Sequence, residues 1–203
     1  MSVADASIGP RIIESAKKEF IEHGYGQASL QTICRNAGVT TGALYKRYAG
    51  KAELFEAIVG PTVQQIFELS WEHDQENREF VESNTAKERW ESAERVQQQW
   101  ISFMYNDFEN MQMLLCKAVG TKYEYFLEDF VKEHVAQTMK VITRMKELKQ
   151  KVNDIKEKEI YIFYKCFWTA FFEPIIQGFT KKEAQSFISK LAYTFDWNQV
   201  FGY

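Results

Sequence analysis

Apolar side chains recur along this chain at spacings of three and four, with no run of strict alternation, so the pattern predicts helices from end to end. Leu, Ile, Ala, Glu, Lys and Gln fill the long stretches, and only three prolines and ten glycines interrupt them. Helix starts are marked by Thr85/Glu88, Thr121/Glu124 and Thr180/Glu183, pairs in which a hydroxyl and a carboxylate satisfy each other's orphan amides. Gly120 and Gly178 suit the left-handed residue that closes the preceding helix. Pro10 fits a first turn, Gly24 a helix end, and Asn153 or Asp154 a further cap. The predicted helix cores are 10–23, 30–36, 41–47, 51–80, 86–107, 109–118, 122–149, 155–177 and 181–200. Gly60-Pro61 lies inside the fourth, where proline removes a hydrogen bond; a kink or break there is expected to divide residues 1–60 from 61–203.

The first three helices are short, and the tight turn Ala37-Gly38-Val39 between the second and third has helix-turn-helix spacing. Ser29 is placed to cap the second helix, whose inward face is Leu30, Ile33, Cys34 and Ala37; Ile12, Ile13, Ala16 and Phe20 face them from the first. Gly38 supplies the positive dihedral of the turn, and Thr40 caps the third helix. That helix, Thr40 to Tyr48, needs mainly Leu44 for the core, with Val39 and Tyr48 flanking, which leaves its other side chains free to read a major groove. Gly42 costs about 1 kcal/mol relative to Ala inside a helix, so its presence points to a close backbone approach by another surface. Tyr45, Lys46, Tyr48 and Lys51 are candidates for the sugar-phosphate backbone.

Charge sharpens this reading only when split. The chain carries −3 overall, but residues 1–60 hold seven bases and six acids, and Lys46, Arg47 and Lys51 fall within six residues. Cys34, Cys116 and Cys166 are odd in number and widely spaced, which predicts neither disulfides nor a zinc site and fits a reducing cytoplasm. The N-terminus has no apolar leader and Ile160 to Phe172 is too short to cross a bilayer, so no membrane association is expected. No catalytic motif is present, and His23, His73 and His134 stand apart from cysteines and paired carboxylates; no enzyme activity, metal or cofactor is predicted.

Residues Arg11 through Val59 resemble the DNA-binding domain of the TetR family of bacterial regulators. The resemblance rests on Ile12, Ala16, Phe20, Gly24, Tyr25, Ser29, Ile33, Ala37-Gly38-Val39, Gly42, Leu44-Tyr45, Tyr48, Lys51, Leu54 and Phe55. Gly50 stands where the family usually has a Ser or Asn cap, and Arg47 and Tyr48 replace a commoner His and Phe. The contact set expected on DNA is Ser29, Gln31, Thr40, Thr41, Gly42, Ala43, Tyr45, Lys46, Tyr48 and Lys51. The family implies an all-α protein whose remaining residues form a helical ligand-binding and dimerisation domain. It further implies a cytoplasmic, ligand-responsive homodimer, a repressor released from a palindromic operator by a small-molecule effector. A carrier or interaction protein that no longer binds DNA is the alternative.

Beyond the head, aromatic weight is the main signal. The eighth helix carries Phe163, Tyr164, Phe167, Trp168, Phe171 and Phe172 over an arc of about 180°, more than one neighbour covers. Phe163, Phe167 and Phe171 are expected to line a cavity with Trp100, Phe103, Met104, Phe108, Met111, Tyr123, Phe126 and Phe130, suited to a bulky apolar or aromatic ligand. Asp107, Glu109 or Glu173 beside these rings would also suit a lipophilic cation. Trp168, Phe172, Ile176, Phe187, Leu191 and Phe195 are expected at the dimer interface, since the family pairs its last two helices there. Alternatively, all six aromatics of the eighth helix are core.

Overall fold

The computed structural model describes residues 6–83 and 86–202, and the side chains of all of these except 86–94. The Thr85/Glu88 cap therefore lies outside the described residues. Ten helices and no strand occur among the described residues: α1 Ile8–Gln27, α2 Leu30–Ala37, α3 Thr41–Tyr45, α4 Lys51–Ser83, α5 Ala86–Asn106, α6 Phe108–Cys116, α7 Phe126–Glu147, α8 Glu157–Ile176, α9 Lys181–Thr194 and α10 Trp197–Phe201. The fold is all-α, as the periodicity predicts. None of these helices is long and apolar enough to cross a membrane.

Differences from the predicted boundaries have local causes. Pro61 sits on the exposed side of α4, and the helix runs on from Lys51 to Ser83 instead of splitting there. Thr121 and Glu124 do not open a helix. The Glu124 carboxylate accepts from Gly120 N–H at 3.1 Å and Thr121 Oγ1 from Tyr123 N–H at 3.0 Å, closing a turn that delays α7 to Phe126. Asn153 likewise caps nothing at α8: its side-chain amide donates to the carbonyls of Gln199 and Val200, and Glu159 accepts the Lys156 N–H instead. The Thr180/Glu183 pair forms as predicted, with Thr180 N–H on the carboxylate at 2.8 Å and Glu183 N–H on Thr180 Oγ1 at 3.3 Å.

The chain divides into two compact units, Met1–Gln65 with Asp107–Tyr125, and Ile66–Asn106 with Phe126–Tyr203. The compact division therefore differs from a single cut at Gly60-Pro61. Segment Asp107–Tyr125 joins the N-terminal unit because Met113 and Ala118 are buried with Ile12, Phe20, Leu54 and Phe55, while Tyr25 N–H donates to the Lys117 carbonyl at 3.0 Å. Burial of these side chains, each fully buried aliphatic or aromatic one contributing about 1.5–3 kcal/mol, holds that unit together.

The second unit is built on rings. Trp100, Phe130, Trp168, Phe171 and Phe172 are buried and pack edge-to-face or stacked, with Phe130–Trp168 centroids at 4.9 Å and Trp100–Trp168 at 5.2 Å. The wide aromatic arc of α8 is covered from several sides: Trp100 of α5, Phe130 of α7, and Phe195 with Trp197 beside Phe167. Polar atoms inside this core are satisfied. Trp100 Nε1–H donates to His73 Nδ1 at 3.1 Å, leaving His73 Nε2–H for Gln99 Oε1 at 3.1 Å, and His134 Nε2 pairs with Ser70 Oγ at 3.1 Å.

A neutral ring is required at both histidines. Burial pushes His134 down to about 3 and lowers His73, so the unfolded chain binds protons first as pH falls below the ordinary value of 6.5. Asp74, raised by burial to about 6, runs in the opposite direction, losing stability as pH rises. The wild type is therefore expected to lose stability between pH 6 and 4 more steeply than His134→Gln, by about 1.4 kcal/mol per pH unit, a difference in which Asp74 cancels. Urea melts of both proteins across that window check this; parallel slopes would contradict it.

Candidate nucleic-acid interface

The helix-turn-helix assembles from local chemistry. Ser29, extended at φ −107°, accepts from Thr32 N–H at 3.3 Å and starts α2, while its own N–H is taken by the buried Glu19 carboxylate at 2.9 Å. Ser15 Oγ donates to the Ile33 carbonyl at 2.9 Å and pins α1 to α2. Gly38 ends α2 at φ 65°, with Val39 N–H returning to the Cys34 carbonyl at 3.0 Å. Thr40 Oγ1 then accepts from Ala43 N–H at 3.1 Å and starts α3. Each of these caps falls where the sequence places it.

Leu44 is fully buried and is the anchor of α3. Around it Thr40, Thr41, Gly42, Tyr45 and Lys46 are exposed, as is Gln31 at the start of α2. Tyr45 keeps 56% of its surface open. Ser29, Ala43 and Tyr48 are half-buried, Tyr48 against the core and Ser29 occupied as a cap. Gly42 has no internal reason to be glycine: its φ is not positive, and an added Cβ would meet only Thr40 Oγ1, at 3.8 Å.

Lys51, expected as a phosphate clamp, is engaged within the head. Its ammonium donates to the carbonyls of Gly26 at 3.0 Å and Ala28 at 3.1 Å, and lies 4.8 Å from the centre of the Tyr25 ring. It ties the start of α4 to the end of α1 and so positions the head, a role that sequence spacing of more than twenty residues does not disclose.

The other candidates fall in both units. Phe108, Met111 and Tyr123 belong to the N-terminal unit, whereas Trp100, Phe103, Met104, Phe126, Phe163, Phe167 and Phe171 belong to the second. Trp100, Met104, Phe126 and Phe171 are buried among close-packed rings and neighbours, and Phe163 is 39% exposed, so it lines no interior. Two open clefts of the second unit are lined by other residues, among them Arg78, Lys140 and Arg144 in one and Lys132, Lys156 and Tyr161 in the other. Trp168 and Phe172, expected at a subunit interface, are in the core, and Leu191 is buried as well. Phe187 and Phe195 are half-buried, leaving Ile176 as the exposed member of that set. The 100° step of a helix explains the exchange: with Trp168 and Phe172 turned inward, Ile162, Cys166, Thr169 and Ile176 turn out.

An all-helical chain that holds a capped, glycine-bearing helix outward on a three-helix core is a helix-turn-helix protein. Residues 12–58 match the family model for bacterial regulatory proteins of the tetR family. Over 64 residues it is 39% identical to the HTH-type transcriptional regulator SrpR of Pseudomonas putida, covering 32% of this chain and 30% of that protein. It is equally identical over 64 residues to the uncharacterized HTH-type transcriptional regulator TtgW of the same species, covering 32% and 47%. The matched segment thus spans less than half the length of these curated relatives. The fold extends further: SCO3833, a member of the TetR transcriptional regulator family from Streptomyces coelicolor A3, superposes with a TM-score of 0.58 at 17% identity, covering 94% of this chain and 89% of that one.

Proposed function

We propose that this chain is a homodimeric, ligand-responsive transcriptional repressor that reads a palindromic operator with α3. The observation that carries the reading is Gly42, a helix-weakening residue that the fold itself does not need, on the exposed side of a helix fixed by Leu44 and the Thr40 cap. A duplex approaching the backbone there accounts for it. Thr40, Thr41 and Ala43 are assigned to base edges and neighbouring phosphates, Tyr45, Lys46 and Tyr48 to the sugar-phosphate backbone, and Gln31 and Ser29 to the flank.

Residues 1–60 act in this reading as the DNA-binding domain and 61–203 as the effector and dimerisation domain. The effector is a bulky apolar or aromatic molecule that favours a conformation unable to hold both heads on DNA. Dimerisation uses the α8 stripe of the exposed Ile162, Cys166, Thr169 and Ile176 with the half-buried Glu173, whose alternate spacing of four and three is that of a helix-packing seam. Phe163, the neighbour of Ile162 in α8, is exposed as well.

Gly42→Ala separates the two demands on α3. It is expected to raise the stability of the protein by up to about 1 kcal/mol while weakening binding to DNA from upstream of the regulator's own gene. Thermal melts and fluorescence anisotropy read the two effects; unchanged DNA affinity would remove the support for the reading. On the same DNA, Lys46→Ala is expected to weaken all sequences alike and make the salt dependence shallower by about 0.9 per lost phosphate contact. Thr41→Ala should instead relax discrimination at one base step by roughly 1–3 kcal/mol. Identical behaviour of the two variants would refute that division of roles.

A further inference from the structure

We infer that the second unit carries another contact for the phosphate backbone of duplex DNA, indifferent to sequence and formed by lysines of the α7–α8 connection. It uses no residue of the helix-turn-helix and goes beyond operator reading. Between Lys140 and Glu159 stand seven cations and four acids, a local charge of +3 on a chain of −3. Among the described residues one of these acids, Glu147, is in an ion pair, and its partner Arg144, which also holds Glu82, is thereby engaged too. Glu147 accepts from Arg144 Nη1 at 3.0 Å, and Glu159 accepts the Lys156 N–H at 2.8 Å; Asp154 and Glu157 complete the set. Glu82, the acid reaching in from α4, is engaged by Arg144 Nε at 2.7 Å and Nη2 at 3.1 Å. Lys146, Lys149, Lys151, Lys156 and Lys158 are exposed, and none of the ion pairs among the described residues includes them.

The backbone under these lysines is fastened. Lys149 closes α7 at φ 57°, Gln150 N–H returns to the Met145 carbonyl at 2.9 Å, and the Gln150 side chain donates to the Val81 carbonyl at 2.6 Å. Asn153 N–H donates to the Phe201 carbonyl at 2.7 Å while its side chain holds the carbonyls of Gln199 and Val200. The backbone that carries Lys149 and Lys151 is therefore held in place, which lowers the ordering cost of binding a partner of matching charge. Of the described residues from 140 to 159, Leu148 is the one large apolar side chain that is exposed, and only to 36%. A protein partner would need aromatic or arginine anchors and a membrane would need an apolar wedge, whereas a phosphate backbone needs only point charges.

The test is anisotropy of a labelled duplex of arbitrary sequence, using the full chain with Tyr45→Ala and Lys46→Glu so that the head does not contribute. Salt-sensitive binding is expected to persist in this variant. Adding Lys146→Gln, Lys149→Gln and Lys151→Gln should weaken it about ten-fold and reduce the log–log salt slope by about 2–3, at about 0.9 per phosphate. The corresponding triple Arg variant should keep both fold and affinity. The inference is overturned if the head-disabled chain binds no duplex, if the Gln variant binds equally well, or if polyglutamate or phosphatidylserine vesicles bind more tightly than the duplex. Failure here leaves operator binding by the intact head untouched, since that is measured on specific DNA with the wild type.

Discussion

In the proposed homodimer, Thr169→Arg is expected to leave the protein monomeric and to lower operator affinity on the order of 100-fold, because a single helix-turn-helix holds one half-site too weakly. The α8 stripe is symmetric about this residue: Ile162 and Ile176 lie seven positions to either side, and Cys166 and Glu173 lie three and four. Two copies of α8 crossing at Thr169 in opposite directions would set Ile162 of one against Ile176 of the other, the self-complementary arrangement that a twofold axis demands. Large apolar side chains at the ends, with the small Cys166 and Thr169 near the centre, let the helices approach closely. A guanidinium at the centre would meet its own copy across the axis, so repulsion and bulk act together. Thr169 is exposed, so the subunit itself should remain folded. Sedimentation equilibrium gives the mass and circular dichroism the helix content; a variant that stays dimeric places the interface elsewhere.

Phe172→Ala is expected to destabilise the second unit by about 3–5 kcal/mol, the range for removing a fully enclosed ring. Phe172 has no exposed surface and stacks on Trp168 at 5.6 Å, with Phe130 at 5.9 Å and Phe171 at 6.0 Å. The aromatic cluster offers little room to close over the missing ring, so the cavity should persist. Chemical denaturation at several protein concentrations distinguishes this from an interface role. A core residue lowers the midpoint at every concentration, whereas an interface residue would leave subunit stability alone and change only its concentration dependence.

Residues 1–60 were readable because what shapes them is short in range. A hydroxyl at Ser29 or Thr40 finds its amide three residues on, Gly38 supplies its own dihedral, and Leu44 is the one large apolar residue its short helix must bury. These relations lie within one or two turns and are written in consecutive residues. Lys51 shows where that ends: lysine near a helix-turn-helix suggests phosphate, but carbonyls 23 and 25 residues away hold its ammonium.

In the second unit the sequence determined that α8 is helical and too aromatic for one neighbour, and left open which rings face outward. That choice belongs to Trp100, Phe130, Phe195 and Trp197, which meet α8 from other helices and leave Phe163 outside while enclosing Trp168 and Phe172. The allegiance of α6 was decided in the same way, by the burial of Met113 beside α1 and α4. Helical periodicity specifies a face only relative to its own axis; the rotation of that axis against its neighbours is a property of the packed core, where a ring's surroundings come from distant parts of the chain.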